Sequence, residues 1–376
     1  YKENVVGYIQ AKKNPFTDIV RPLINGARTE TEKIQRIYNH VRDRFSWNGA
    51  YQFATKNKVK KLYEAKTGSS AEINLVLTEM LEAAGFRANP LLISTRGHGQ
   101  VVDLYPMISQ FNHLVCYAVG KEKTYFLDAI YPNQPFDLFP AANLNGKAWL
   151  LDENKPHWVN IPTNFSDEEN ILGQVKMHAD GTVDAQFSMD ARGYSAFNYR
   201  RLINGKSQKN FQSELLNQKL DLTEDAFDIQ GSLKPDEKLS VQFSFEDQEL
   251  ASASGDFIYV SPMLFFGEEK NPFLQKDRFY PIDFIHPKTY RYSISYQIPE
   301  GFEVDELPES SRMILPNRDL TFEFQCQQID SSTVQVISNF AIKQPYYSPA
   351  QYPNLKTMFD LLIARHGSQI VLKKKR

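Results

Sequence analysis

The sequence predicts an α+β domain followed by an antiparallel β-sandwich domain. Three observations carry this: helical apolar spacing in the first third, a β-hairpin pattern directly behind it, and, from about residue 164 onward, alternating strands separated by turn signals. A chain of 376 residues exceeds one ordinary core, and at roughly 100–200 residues per domain two are expected, 1–163 and 164–376.

The elements follow in order. Between Thr29 and Phe45 the apolar residues Ile34, Ile37, Tyr38, Val41 and Phe45 fall at helical spacing, and Thr29 with Glu32 forms a capping box. A polar stretch from Lys56 to Lys66 reads as a connection. A second, buried helix starts within a residue of Ser70, where Ser69 and Glu72 repeat the capping spacing, and Gly85 stands where a helix C-terminal glycine belongs. Pro90–Thr95 reads as a buried strand, Arg96–Gln100 as a glycine-containing loop, and Phe111–Val119 with Thr124–Leu127 as a hairpin turning at Gly120-Lys121. Alternation puts His113, Val115 and Tyr117 on one face and Leu114, Cys116 and Ala118 on the other. In the second half, Leu239–Phe245 and Tyr290–Ile298 alternate as half-buried strands, Ala179-Asp180-Gly181 and Pro299-Glu300-Gly301 mark turns, and a polar helix is expected near 208–220. A helix over Tyr352–Arg365 and a strand at Ile370–Leu372 close the chain.

Composition excludes several classes. Lys plus Arg number 43 against 45 Asp plus Glu, and the basic residues are spread out, so there is no electrostatic footprint for nucleic acid; the terminal Lys-Lys-Lys-Arg reads as a solvated tail. The two cysteines, Cys116 and Cys326, rule out a disulfide framework and a multi-cysteine zinc site. No run approaches the ~18 apolar residues of a membrane span. The chain opens on Tyr1 rather than Met, which reads as an excerpt or a processed form. No phosphate loop, HExxH, CxxC or GxSxG word occurs, and the seven histidines show no metal-ligand spacing, so neither a metal nor a cofactor is expected.

What remains is an ordered trio: Ser70 at a helix start, His113 on a strand and Asp128 at the end of the next strand. A nucleophile at a helix N-terminus, a histidine to take its proton and a carboxylate to hold the imidazole are what nucleophilic acyl chemistry requires. Taken singly, Ser70 reads as a helix-start residue, His113 as a satisfied core histidine and Asp128 as a strand-ending turn residue.

The words around the trio carry more. Gly68-Ser69-Ser70-Ala71-Glu72-Ile73-Asn74-Leu75, Leu81 to Leu92 with its Ala84-Gly85-Phe86-Arg87, Phe111-Asn112-His113 and Tyr125-Phe126-Leu127-Asp128 resemble the transglutaminase-like core in its bacterial, Bacteroidetes cell-envelope form, across about residues 15 to 160. The resemblance implies a papain-like core, a following β-rich domain, a preceding N-terminal β-domain, and a periplasmic or cell-surface location. It implies catalytic positions at Ser70, His113 and Asp128, with Trp47, Asn112 and Tyr125 as cleft-lining candidates. The family word has a cysteine where this chain has Ser70. A thiol with a pKa near ~8.5 becomes a thiolate in such surroundings, whereas an aliphatic hydroxyl lies far outside the range they can shift.

Neither cysteine replaces the missing thiol: strand alternation turns Cys116 away from His113, and Cys326 lies in a β pattern of the second domain. The expectation is therefore a catalytically silent core that binds a peptide or glycan, or serves as an envelope assembly module. The alternative is a hydrolase or acyltransferase working through Ser70, His113 and Asp128, and a third reading makes the core a spacer. The loop 96–100 is expected to be a solvated turn rather than a gate. The aromatic runs 279–284 and 345–347 are expected to pack in the core or at a domain interface rather than to form a carbohydrate or peptide surface.

Overall fold

The computed structural model describes residues 14–152, 154–205 and 208–376, and the chain divides into two compact units, 1–165 and 166–376. No described helix is long and apolar enough to cross a membrane.

In the first unit α1 (Thr17–Ile24) and α2 (Glu30–Arg44) precede a short parallel pair, β1 (Ser46–Trp47) with β2 (Thr67–Gly68). Thr29 caps α2 by accepting a hydrogen bond from the Glu32 amide. Between β1 and β2 lies α3 (Val59–Ala65), a helix inside the stretch read as a connection; its seven residues bury only Val59 and Leu62, too few for an apolar period, and it ends at Lys66 in the left-handed conformation. The buried helix is α4 (Ser70–Ala83), held at its start by the full capping box and followed by Gly85 at φ +87°.

Behind α4 stands a five-stranded antiparallel sheet ordered β5-β4-β3-β6-β7, from β3 (Arg87–Ile93), β4 (His113–Val119), β5 (Thr124–Leu127), β6 (Lys147–Leu150) and β7 (His157–Asn160). Ile73, Val76, Leu77, Met80 and Leu81 of α4 share one core with Leu92, Leu114, Cys116 and Ala118 of the sheet. Strands β3 and β4 pair with Ile93 opposite His113. The sheet therefore brings the start of β4 and the residue after β5 to the same end, because antiparallel neighbours exchange their termini.

The second unit is the expected β-rich domain. An eight-stranded sheet runs β10-β11-β9-β8-β15-β19-β18-β17, built from β8 (Asp167–Met177), β9 (Thr182–Arg192), β10 (Phe227–Gln230), β11 (Leu239–Glu249), β15 (Lys288–Gln297), β17 (Ser311–Ile314), β18 (Leu320–Asp330) and β19 (Thr333–Ile342). A four-stranded sheet runs β12-β13-β21-β16, from β12 (Ala251–Ser254), β13 (Phe257–Val260), β16 (Phe302–Glu306) and β21 (Ile370–Lys374). The one departure from an antiparallel arrangement inside the large sheet is β8 beside β15, which pair in parallel from Asp167–Lys288 to Lys176–Gln297. Both sheets share a core with α7 (Tyr352–His366), the helix expected at the C-terminus, through Leu355, Met358 and Leu362.

Two helices, α5 (Gly193–Gly205) and α6 (Gln208–Leu215), interrupt the strands where one was expected. The start of α5 depends on a long-range cap, Asp167 Oδ1 accepting the Ser195 amide at 2.7 Å, and Gly193, at φ +64°, is glycine because a Cβ there would meet Ser166 O at 1.9 Å. The aromatic runs divide rather than pack together. Ile282 and Tyr347 enter the core through β14 (Ile282–Asp283) and β20 (Tyr346–Tyr347), whereas Phe279, Tyr280 and Tyr346 are 87%, 78% and 59% exposed. The expectation of internal packing fails at Tyr346 because the two-residue pairing turns alternate side chains outward, and at Phe279 and Tyr280, which precede the pairing.

His366, at the end of α7, is buried with both ring nitrogens bonded: Nδ1 accepts the Glu268 amide at 3.2 Å, so Nε2 carries the proton and donates to Ser338 Oγ at 2.9 Å. Burial pushes its pKa down to about 4. A depressed folded pKa means the unfolded chain takes the proton first, so the stabilisation is complete above about 6.5 and is lost as pH falls toward about 4. Urea melts followed by circular dichroism should show the second unit losing on the order of 2 kcal/mol between pH 7 and pH 5, a difference that should shrink in His366→Gln.

Candidate functional site

The site begins with the turn that starts α4. Ser69 Oγ accepts the Glu72 amide at 3.4 Å, and Glu72 Oε2 accepts the Ser69 amide at 2.9 Å. Glycine precedes the cap because a Cβ on Gly68 would stand 3.1 Å from both Cβ and Oε2 of Glu72. Burial pushes the Glu72 carboxyl up, but its hydrogen bonds from Ser69, Asn57 and Thr55 outweigh this and hold it below its ordinary value. It stays ionised at the positive end of the helix.

Four residues into α4, on the face that carries Ser70, Asn74 is fully buried. Its Nδ2 donates to Asp128 Oδ1 at 2.8 Å and to Leu114 O at 2.9 Å, while its Oδ1 accepts the Ala129 amide at 3.0 Å. Asp128 follows β5 and is buried with every oxygen engaged. Oδ2 accepts His113 Nε2 and Asn143 Nδ2, each at 2.8 Å, and the backbone carbonyl accepts Tyr38 Oη at 3.2 Å. Burial pushes this carboxyl up; the adjacent His113 imidazole and the bonds from His113, Asn74 and Asn143 outweigh it, and the group is held below the carboxylate range. An ionised Asp128 only accepts, so His113 Nε2 carries the donated proton, and Nδ1 is a buried ring nitrogen with no hydrogen-bond partner.

Ser70, fully buried, turns its bonds elsewhere. Its Oγ donates to Gln52 O at 3.0 Å and accepts the Gln52 amide at 2.9 Å, and its own amide donates to Ala50 O at 3.1 Å. Between those two residues Tyr51 lays its ring edge-on against His113, centroids 5.0 Å apart and planes at 70°. The Tyr51 hydroxyl pairs with that of Tyr131, and the Trp47 ring stands 4.9 Å from Tyr51 and 5.5 Å from Tyr131.

Of the residues singled out in the sequence, the fold joins His113 to Asp128 and gives the Ser70 hydroxyl to Gln52. Trp47 lies in the aromatic cluster beside His113, with its indole N–H donating to Ala50 O at 3.0 Å. Asn112 is engaged at Thr95, accepting its amide at 2.9 Å and donating to its hydroxyl at 2.8 Å. Tyr125 packs its ring 5.6 Å from Phe136 and pairs its hydroxyl with Thr31 Oγ1 at 2.7 Å, so its polar group faces α2 rather than the trio. Cys116 and Cys326 are buried, and burial pushes the Cys326 thiol up to about 12. The loop at 96–100 is a turn, fastened by Ser94 Oγ and Asn145 Nδ2 donating to Gly99 O at 2.6 and 2.8 Å.

Sequence reasoning missed Asn74, Asn143, Tyr51 and Gln52. Asn74 had a signal, a polar residue inside the apolar run Ile73–Leu77 one turn beyond Ser70; Asn143, in a single turn of 3₁₀-helix, had none. Among the described residues one group could hold a cation, His178, Asp184 and Asp247, lying within 4.8 Å of one another at the surface of the second unit; His178 Nε2 and the Asp247 amide already bond to Asp184, at 2.9 and 3.2 Å.

Comparison with known proteins agrees with this architecture. The family model of the transglutaminase-like superfamily matches residues 17–125, and a family described as a domain of unknown function, DUF3858, matches residues 256–372. No curated protein matches the chain in sequence. Among solved structures, a proposed protease from Parabacteroides distasonis ATCC 8503 shares the fold at a TM-score of 0.56 and 13% identity, over 97% of this chain. The chain spans 56% of that protein's length.

The Asn74 amide holds three separated groups at once, whereas Ser69 supplies one cap bond. Asn74→Ala should therefore lower the unfolding free energy by about 3 kcal/mol and Ser69→Ala by about 1 kcal/mol, measured by urea denaturation with tryptophan emission as the signal. Similar losses for the two would contradict the role given to Asn74.

Proposed function

From a chain whose residues 17–125 form a transglutaminase-like domain, we propose a non-catalytic function: a pseudoenzyme core whose site binds a peptide or glycan strand. The observation that carries this is the pair of hydrogen bonds between the Ser70 hydroxyl and the Gln52 backbone, 2.9 and 3.0 Å. A serine nucleophile has to give its proton to a base as it attacks. Here the proton points to a carbonyl oxygen, the lone pair receives an amide, and the ring nitrogen of His113 that Asp128 does not hold, Nδ1, has no hydroxyl bonded to it. The aliphatic hydroxyl cannot be pre-ionised as a thiol can, so it gains little from the helix terminus. Placement of the protein at the cell envelope draws its support from the resemblance of the sequence words alone.

A second reading, hydrolysis or acyl transfer through Ser70, His113 and Asp128, is favoured by one feature. The His113–Asp128 bond is kept at 2.8 Å and braced by two asparagines, which is how an orienting carboxylate is held in an active site.

Intact-mass analysis after treatment with a fluorophosphonate decides between them. The silent reading expects no adduct on the protein, and rapid iodoacetamide alkylation of Ser70→Cys, well ahead of buried Cys116 and Cys326. A single fluorophosphonate adduct that disappears in Ser70→Ala would establish an activated serine and sink it.

A further inference from the structure

We infer that residues 50–57 form an autoinhibitory strap across the site, with Tyr51 as its plug and Ser70 as its fastening. This rests on His113 and Asp128 being the polar floor of a ligand site, and it deepens the reading above by saying what stands between that floor and solvent. The strap leaves β1 through Asn48 and Gly49, the latter at φ +86°, a backbone region where glycine turns without cost. It then makes three sets of contacts, two with the first turn of α4 and one with His113 and Tyr131.

The first set is backbone. Ala50 O accepts the Ser70 amide at 3.1 Å, and the amide and carbonyl of Gln52 close on the Ser70 hydroxyl. The second is the plug: the Tyr51 ring covers the His113 imidazole and ties to Tyr131 through the hydroxyls. The third is the far end, where Thr55 Oγ1 and Asn57 Nδ2 donate to Glu72 Oε1 at 2.9 and 2.8 Å. Glu72 therefore serves two purposes, capping the helix with one oxygen and anchoring the strap with the other.

The strap is thin. Gln52 is exposed and Tyr51 only half-buried, yet His113 and Ser70 beneath are fully buried, so the closure is one residue deep. It belongs to no sheet and no helix, and its ties to the body are hydrogen bonds along its length, the ring contacts of Tyr51 with His113 and Trp47, and the packing of half-buried Tyr51 and Phe53 against the core. Segments of that kind open at the low end of a protein's local stabilities. The bonds it makes to Ser70 are those an external peptide backbone would make, so a ligand reaching His113 Nδ1 has to displace it. Ser70 is accordingly a positioning residue, acting through the strap.

Diethyl pyrocarbonate tests this, since it acylates a ring nitrogen of a neutral imidazole, and with Nε2 bonded to Asp128 the nitrogen of His113 open to it is the unpartnered Nδ1. Peptide mass mapping of the unaltered chain should show exposed His98 and His157 modified while His113 is spared. In Tyr51→Ala the His113 rate should rise by at least about tenfold, with Ser70→Ala in between. In parallel, hydrogen exchange at the Gln52 amide should accelerate in Ser70→Ala, which loses its acceptor, while the amides inside α4 keep their protection. His113 reacting as fast as His98 in the unaltered chain, or staying inert in a folded Tyr51→Ala, overturns the strap. So does an unchanged Gln52 amide in Ser70→Ala, an arm that stands even if Tyr51→Ala does not fold. A fluorophosphonate adduct at Ser70 would remove the silent reading without touching these results, so the two ideas fail separately.

Discussion

The first unit is organised around one demand, the saturation of a buried carboxylate. Asp128 has lost its water, and an ionised carboxylate in that position is tolerable only with its oxygens occupied. Three groups meet the demand, His113 from β4, Asn74 from α4 and Asn143 from a 3₁₀ turn, and Tyr38 from α2 holds the backbone carbonyl of the same residue. They come from four elements, so none can shift in register without breaking the set. Asn74 couples it further, because the same amide also holds Leu114 O and the Ala129 amide and so fixes the ends of β4 and β5 relative to the helix. The apolar residues of α4 and the sheet supply burial, which has no direction; the Asp128 network supplies the direction.

That network separates two properties that an active site usually combines. Orientation of the imidazole is complete, with Nε2 fixed on Asp128 and Nδ1 left over, whereas engagement of the residue at the helix start is absent, because Ser70 bonds to Gln52. A serine suits its present partners well. Its hydroxyl donates and accepts at once, which a thiol does weakly, and the two Gln52 groups 2.9 and 3.0 Å away use both capacities. The residue type that makes a poor nucleophile in this setting makes a good fastening.

Much of this was legible in the sequence where one local rule sufficed. Both helix caps could be read from residues three apart, although only Ser69 and Glu72 close a full box, Glu32 turning its carboxylate to the Arg28 amide and Arg36 instead; the hairpin could be read from its turn and alternation, and the terminal helix and strand from their periods. What stayed hidden depends on partners distant in the chain. Helix α5 starts where it does because Asp167 reaches Ser195 across 28 positions, and the parallel pairing of β8 with β15 joins segments about 120 residues apart. Helix α3 was lost for the opposite reason, being too short and lysine-rich to show a period.

The site itself was half legible, and the division follows the same line. His113 opens one strand of a hairpin and Asp128 directly follows its neighbour, so spacing and antiparallel pairing bring them together without any knowledge of the rest. Ser70 could be placed at a helix start but not given a partner, because the choice between His113 and Gln52 is made by where residues 50–57 cross, and that stretch has neither period nor turn word. Its course is set by groups outside it: the Glu72 oxygen left over from the capping box, the Tyr131 hydroxyl, and the ring of His113 that Tyr51 can cover. A sequence motif identifies which side chains can do chemistry, and the irregular segment that crosses them decides whether their atoms are free to do it.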